Sequence, residues 1–129
     1  GRCTSACPAN ITGKKLSPRK IMMDTRDRME EVGKNIDANK GVFVPDNKTL
    51  LNDYITPEEL WACTSCNACV EECPVNISPL SIIMDMRRYL VMEQSAAPMS
   101  LNAMMTNVEN NGAPWQYSQQ DRLNWKNEN

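Results

Sequence analysis

Cys63-Thr64-Ser65-Cys66-Asn67-Ala68-Cys69-Val70-Glu71-Glu72-Cys73-Pro74 decides how the rest of the chain is read. Its spacing, C-x₂-C-x₂-C-x₃-C-P, is that of a run that ligates an iron–sulfur cluster. Three thiolates spaced three residues apart on a tight loop can wrap three corners of an iron–sulfur cube. Backbone N–H groups between them can point at the sulfides and help set the potential. Pro74 lacks a backbone donor and cannot continue a helix, so it turns the chain away after the last ligand. In two-cluster proteins the fourth cysteine of such a run ligates the other cluster. A second motif is therefore expected.

Half of that motif stands at the start of the chain. Cys3-x₃-Cys7-Pro8 matches Cys69-x₃-Cys73-Pro74. Counting back by the same spacing puts two further cysteines just before Gly1 and three residues earlier. The chain is thus expected to be a fragment beginning immediately after the second cysteine of its first motif. The likeness extends beyond the cysteines. Cys7-Pro8-Ala9-Asn10-Ile11 matches Cys73-Pro74-Val75-Asn76-Ile77, and Ser17-Pro18 matches Ser78-Pro79. Ile21, Met23, Asp24 and Arg26 match Ile82, Met84, Asp85 and Arg87, with a five-residue insertion, Thr12 to Leu16, in the first half. Each unit reads as ligand loop, Cys-Pro bend and capped helix. Two such units should pack with pseudo-twofold symmetry, helices outside and clusters between.

Composition narrows the class. At 129 residues one domain is the default. Nine methionines and 5% aromatic residues suit a small helical protein with a core of Met, Leu and Ile. The net charge of −2 gives no electrostatic footprint for nucleic acid. The absence of histidine removes the commonest general base and the Cys₂His₂ zinc class. No apolar run has the length of a membrane helix. Six clustered cysteines point to metal in a reducing compartment rather than a secreted disulfide framework.

The spacing predicts an all-α fold with helices near 18–35, 57–62, 79–94 and 100–110. Ser17-Pro18 starts the first, whose apolar positions are Met22, Met29, Val32 and Ile36. Arg19 and Lys20 in its first turn read as a solvated face; the alternative is a basic collar for a cluster or an acidic partner. Residues 37–55 form an irregular connector, with at most a short strand at 42–44. Thr56-Pro57-Glu58-Glu59 is a capping box leading through Trp61 into Cys63. Trp61 reads equally as a shield for the cluster and as a plain core residue. Ser78-Pro79 caps the next helix, with Ile82, Ile83, Met86, Leu90 and Val91 on a broad apolar face. Ser100 is expected to cap the last helix and Gly112 to stop it. The organisation expected is a domain over 1–97 and a helix with docking tail over 98–129, where Trp115 and Trp125 stand in polar sequence.

Other readings of the cysteines fit less well. Structural zinc favours paired C-x-x-C units. A catalytic thiol would have no histidine partner, and disulfides would arise only by oxidation of cluster-free material. By the crossover rule, Cys7, Cys63, Cys66 and Cys69 form a complete [4Fe–4S] site. Cys3 and Cys73 form a partial one lacking two upstream cysteines. Two clusters are expected in the parent protein and at most one complete site in this chain; in aerobic material it can stand empty.

These motifs, with Trp61, Ser78-Pro79 and the tail pattern Gly112-x-Pro114-Trp115…Arg122-x-x-Trp125, resemble the helical two-cluster ferredoxin family. That family includes the third subunit of anaerobic glycerol-3-phosphate dehydrogenase and heterodisulfide reductase subunits. The resemblance implies an electron-transfer module in a larger oxidoreductase. It implies a flavoprotein or quinone-linked partner and a cysteine-rich region downstream in the same protein or complex. It implies a cytoplasmic location, with any membrane association through parts outside this chain. No acid–base pair, activated nucleophile or phosphate loop suggests a catalytic site here. A redox- or iron-sensing regulator would be expected to carry a basic DNA-reading element, and a purely structural module would not cycle its clusters.

Overall fold

The computed structural model describes residues 1–127, and the fold is helical. In order the elements are α1 (Arg2–Ser5), α2 (Pro8–Ile11), α3 (Pro18–Ala38), α4 (Leu50–Asp53), α5 (Pro57–Ala62), α6 (Ala68–Glu71), α7 (Pro79–Arg88) and α8 (Met99–Asn111). A π-helical turn, Tyr89–Glu93, prolongs α7, and a 3₁₀ segment, Gln119–Lys126, follows α8. Among the described residues no strand forms; one isolated bridge joins Leu51 to Ile55.

The predicted starts are present as physical caps. The Ser17 and Ser78 hydroxyls accept from the Lys20 and Ser81 amides, each with proline at the first helical position. At α5 the box closes both ways: Thr56 Oγ1 accepts from the Glu59 amide, and the Glu59 carboxylate accepts from the Thr56 amide. Gly112, left-handed at φ +64°, ends α8. The start of α8 differs from expectation. Pro98, not Ser100, is its N-cap, and no side-chain bond closes the end. Proline's fixed φ sets the entry instead. At residues 42–44, where the sequence allowed at most a short strand, none forms. The Asn35 side chain takes both the N–H and the C=O of Val44, at 2.9 Å each, so no ladder partner can use them.

The chain forms two compact units, Gly1–Tyr89 and Leu90–Asn129. In the first, α3 packs on α7 and α4, α5 packs on α7, and α1 packs on α3 and α6. Its core is Ile and Leu: Ile21, Ile55, Leu60 and Ile83 are fully buried with Pro18. Methionine, expected in the core, is not there. Met22, Met23, Met84 and Met86 sit half-buried at its margin, and Met29 is 68% exposed. The buried stripe of α3 is Pro18, Ile21 and Arg28, rotated away from the predicted Met22–Met29 line.

Arg28 is buried because the connector folds over it. Its guanidinium grips Asp46 with a two-pronged contact, 2.5 and 2.8 Å, and donates to the Lys48 carbonyl at 2.7 Å. A buried arginine needs such partners. The hydrogen bond from Arg28 is the main reason that the Asp46 carboxyl is held down at about 2. Lys20 ties α3 to α5: it contacts Asp24 and Glu59 at 2.8 Å each and donates to the Tyr54 carbonyl at 2.8 Å. Burial alone would raise the Glu59 pKa; Lys20 and Thr56 outweigh it and hold the carboxyl below its usual range.

In the second unit the tail closes on itself. Arg122 donates to the Gly112 carbonyl, Asn107 to the Pro114 carbonyl, and the Tyr117 hydroxyl to the Asp121 carbonyl. Trp115 and Trp125 remain 63% and 68% exposed.

Candidate iron–sulfur centre

The ligand run leaves α5 at Cys63, whose backbone is already extended (φ −70°, ψ 128°). Ser65 and Asn67 are left-handed, at φ +57° and +64°. Such turns present successive N–H groups to one side of a loop, a setting for anionic groups. The contacts agree. The Ser65 amide donates to Cys63 Sγ at 3.4 Å, and the Ile77 amide donates to Cys73 Sγ at 3.4 Å. Hydrogen bonds from the Ala68 amide and the Thr64 hydroxyl lower the Cys66 pKa. Donors aimed at sulfur favour the thiolate, the form that ligates metal.

Cys69 is the pivot of the centre. It lies half-buried in α6, against α1. Burial pushes its thiol pKa up, and the neighbouring thiolate charges of Cys63 and Cys7 push it further. Cys7, buried at the N-cap of α2, therefore sits beside the run despite 61 intervening residues. Cys69 also lines a cavity of about 170 Å³ together with Cys3, Cys73, Arg19, Met22 and Met23. Cys3 and Cys73 also share the wall of a second cavity of about 420 Å³. Cys66 is exposed at the loop tip.

This donor set fits an iron–sulfur group. All six cysteines are free thiols, several bordering open space walled by methionine and isoleucine. Among the described residues no three Cys, Asp or Glu side chains converge on a point that would hold a single ion. Cys3, Cys69 and Cys73 line open volume, as ligands of a polynuclear group must.

Two arginines at the centre had another reading from sequence. Arg19, read with Lys20 as a solvated face with a basic collar for a cluster as the alternative, lines the Cys3–Cys69–Cys73 cavity. Arg87, noted only as the repeat partner of Arg26, reaches the first ligand. Its Nε and Nη2 donate to the Leu60 carbonyl at 3.1 and 2.6 Å, and Nη2 donates to the Cys63 carbonyl at 2.6 Å. Its guanidinium carbon stands 4.9 Å from the Trp61 ring centroid. Trp61 is thus half-buried beneath a cation rather than sealed in the core. An arginine recurring at one register in both halves was the available signal.

Residues 1–77 match the family described as the 4Fe-4S dicluster domain. The chain belongs to that family. Its cofactors are [4Fe–4S] clusters. This dicluster domain is similar to the probable iron-sulfur-binding oxidoreductase FadF of Bacillus subtilis, 33% identical over 99% of this chain and 22% of FadF. It is 34% identical to the EtfAB:quinone oxidoreductase of Syntrophomonas wolfei, over 99% of this chain and 20% of that protein. A third relative is a subunit of the ferredoxin/F(420)H(2)-dependent CoB-CoM heterodisulfide reductase of Methanosarcina acetivorans, 32% identical over 76% of this chain and 47% of that relative. The dicluster domain thus spans between a fifth and a half of these relatives' length. No solved structure gives a significant match. A dicluster domain shared by iron–sulfur oxidoreductases of this kind is an electron-transfer module. Among the described residues no helix is long and apolar enough to cross a membrane.

Proposed function

We propose that this domain relays electrons inside a larger oxidoreductase through two centres that share the Cys69 neighbourhood. Cys7, Cys63, Cys66 and Cys69 hold one [4Fe–4S] cluster. Cys3 and Cys73 are two of the ligands of a second. The observation that carries the reading is the position of Cys69. It lies within reach of the charges of Cys63 and Cys7 and lines a cavity with Cys3 and Cys73. That supports the crossover pairing, in which the fourth cysteine of each run serves the opposite cluster.

When bound, a [4Fe–4S] cluster supplies one-electron acceptance and donation. The chain's own residues do the rest. The Ser65 and Ala68 amides donate to ligand sulfurs and stabilise them as thiolates. Met22, Met23 and Ile77 provide apolar wall around the cavity of Cys3, Cys69 and Cys73.

The relatives named as an EtfAB:quinone oxidoreductase and a heterodisulfide reductase component support a flavoprotein or quinone-linked donor or acceptor. A further cysteine-rich region in the same protein or complex belongs to the same proposal; the greater length of these relatives leaves room for one. The location fitting free thiols is cytoplasmic. One relative, from Chromohalobacter salexigens, is described as a probable membrane-anchored ferredoxin, so anchoring would come through other parts. Residues 98–129 serve as a docking tail, a role supported by exposed Trp115, Leu123 and Trp125.

Anaerobic reconstitution with iron and sulfide tests the pairing. About four irons per chain are expected for the native sequence and Cys73→Ser, with a sharp fall in Cys7→Ser. The reverse pattern would mean that each run closes its own cluster.

A further inference from the structure

We propose that Arg87 is a positioning residue for the first of these centres: it clamps the backbone of the first ligand, Cys63, and places a fixed positive charge beside the cluster. The inference rests on the reading that Cys63 is a ligand of the complete site.

The ligand loop has little else to hold its entrance. Thr64, Ser65, Cys66 and Asn67 are all exposed. Helix α5 ends at Ala62, so its last carbonyls lack helical partners. Leu60 accepts only a long bond, 3.3 Å, from the Cys63 amide along the chain. Arg87 arrives from the last turn of α7 and joins the two carbonyls that bracket the exit, Leu60 and Cys63. Between them Trp61 lies under the guanidinium. One planar fork thus holds three successive features: the helix end, the aromatic ring and the first ligand. Charge-assisted bonds of this kind are about twice as strong as neutral ones. Lysine, a point donor, could not span both carbonyls and stack at once. A simple helix cap would need only the Leu60 contact. The bond to Cys63 extends the grip to the ligand, which is why the role is assigned to the cluster centre and not to α5 alone.

The charge has a second effect. Reduction adds negative charge to a cluster, and a nearby cation favours the reduced state. Burial sharpens this, since the Coulomb term grows as the local dielectric falls. Removing the cation should therefore lower the potential even where the fold is kept.

Three variants of the whole chain separate the possibilities: Arg87→Gln, Arg87→Lys and, as a matched control, Arg26→Gln at the equivalent register of the other half. Each is reconstituted anaerobically, and the midpoint potential is read by electron paramagnetic resonance during redox titration. Arg87→Gln should lower the equilibrium constant for reduction about tenfold, equal to ~59 mV for one electron. Arg87→Lys should keep most of the potential but release iron to a chelator faster than wild type. Arg26→Gln should match wild type in both. A potential in Arg87→Gln equal to that of Arg26→Gln would overturn the charge role. Hydrogen exchange at residues 63–68 of the cluster-free chain tests the clamp separately, and still reads if a variant fails to take up iron. Exchange should be faster in Arg87→Gln, with circular dichroism showing the helices intact; unchanged exchange would overturn the clamp. If the wild-type chain itself takes up no cluster, the functional reading fails, while the exchange result still decides the clamp.

Discussion

The two halves of the repeat share several residues at the same register and use them differently. Arg87 of α7 grips the start of the ligand run. Its counterpart Arg26 in α3 lies on the surface and pairs with Asp27 at 2.6 Å and Glu30 at 3.7 Å. Ile21 is fully buried, whereas its counterpart Ile82 is only half-buried and the next residue, Ile83, fills the core. Lys20 joins α3 to α5 through Glu59, where the second half has the exposed Ser81. Arg19 lines a cysteine cavity where the second half has Leu80. A repeated sequence therefore sets local form, the bend and the capped helix, without setting what each face of that helix meets. Contacts across the fold decide that.

Paired substitutions can break this comparison. The largest difference is expected between Ile21→Ala and Ile82→Ala, followed by urea denaturation of the cluster-free chain. Truncating a fully buried isoleucine costs about 2–5 kcal/mol, and the half-buried partner should lose less than half of that. Equal losses would show that the halves pack alike. Next comes Lys20→Met against Ser81→Met. Losing Lys20 leaves one oxygen of the buried Glu59 carboxylate, Oε1, without its cation, at about 1–3 kcal/mol for a buried polar group short of a partner; the exposed Ser81 position should change far less.

Acid should act through the connector of the first half. The folded Asp46 pKa, about 2, lies below its usual 3.8. The Arg28–Asp46 pair therefore stabilises the fold fully above about pH 4, and that contribution fades as pH falls through 2. Arg28→Met should weaken the fold at pH 7 and flatten its loss of stability between pH 4 and 2. A parallel loss in both chains would remove the pair from the account. The smallest effect is expected at the caps. Ser17→Ala and Ser78→Ala should each cost about 1 kcal/mol. Ser17→Ala should cost slightly more, because the Ser17 hydroxyl also bonds that of Thr4 at 2.9 Å.

Much of this was readable from the chain. Ser-Pro starts, the Thr56–Glu59 box, the Gly112 stop and the cysteine spacing are short-range signals, and they act within one turn or loop. What was not readable depends on distant segments. Nothing near Arg28 announces that Asp46, 18 residues on, will fold back to cover it. Met22 and Met29 fit a helical apolar stripe by spacing, yet the connector and α7 select the Ile21 face instead. Lys20 and Arg19 look like a charge run until α5 and the cysteine loops are placed beside them. At the candidate centre the ligand types were legible. The recurrence of an arginine at one register marked Arg87 but not its targets, which are carbonyls and carry no residue signature.

The insertion Thr12 to Leu16 is what spoils the register between the halves, and excising it would make the two units equal in length. The chain no longer permits that edit. Leu16 is 3% exposed, its carbonyl accepts from the Asn10 side chain at 2.8 Å, and the Lys14 amide bonds back to Ala9 at 2.9 Å. Thr12, Gly13, Lys14 and Lys15 stay exposed, but Leu16 has become part of the interior, as Cys7 and Ala9 are. A deletion restoring symmetry on paper would remove a core leucine and the turn that seats it. The asymmetry is a one-way step: each half can still drift, but neither can be swapped for a copy of the other.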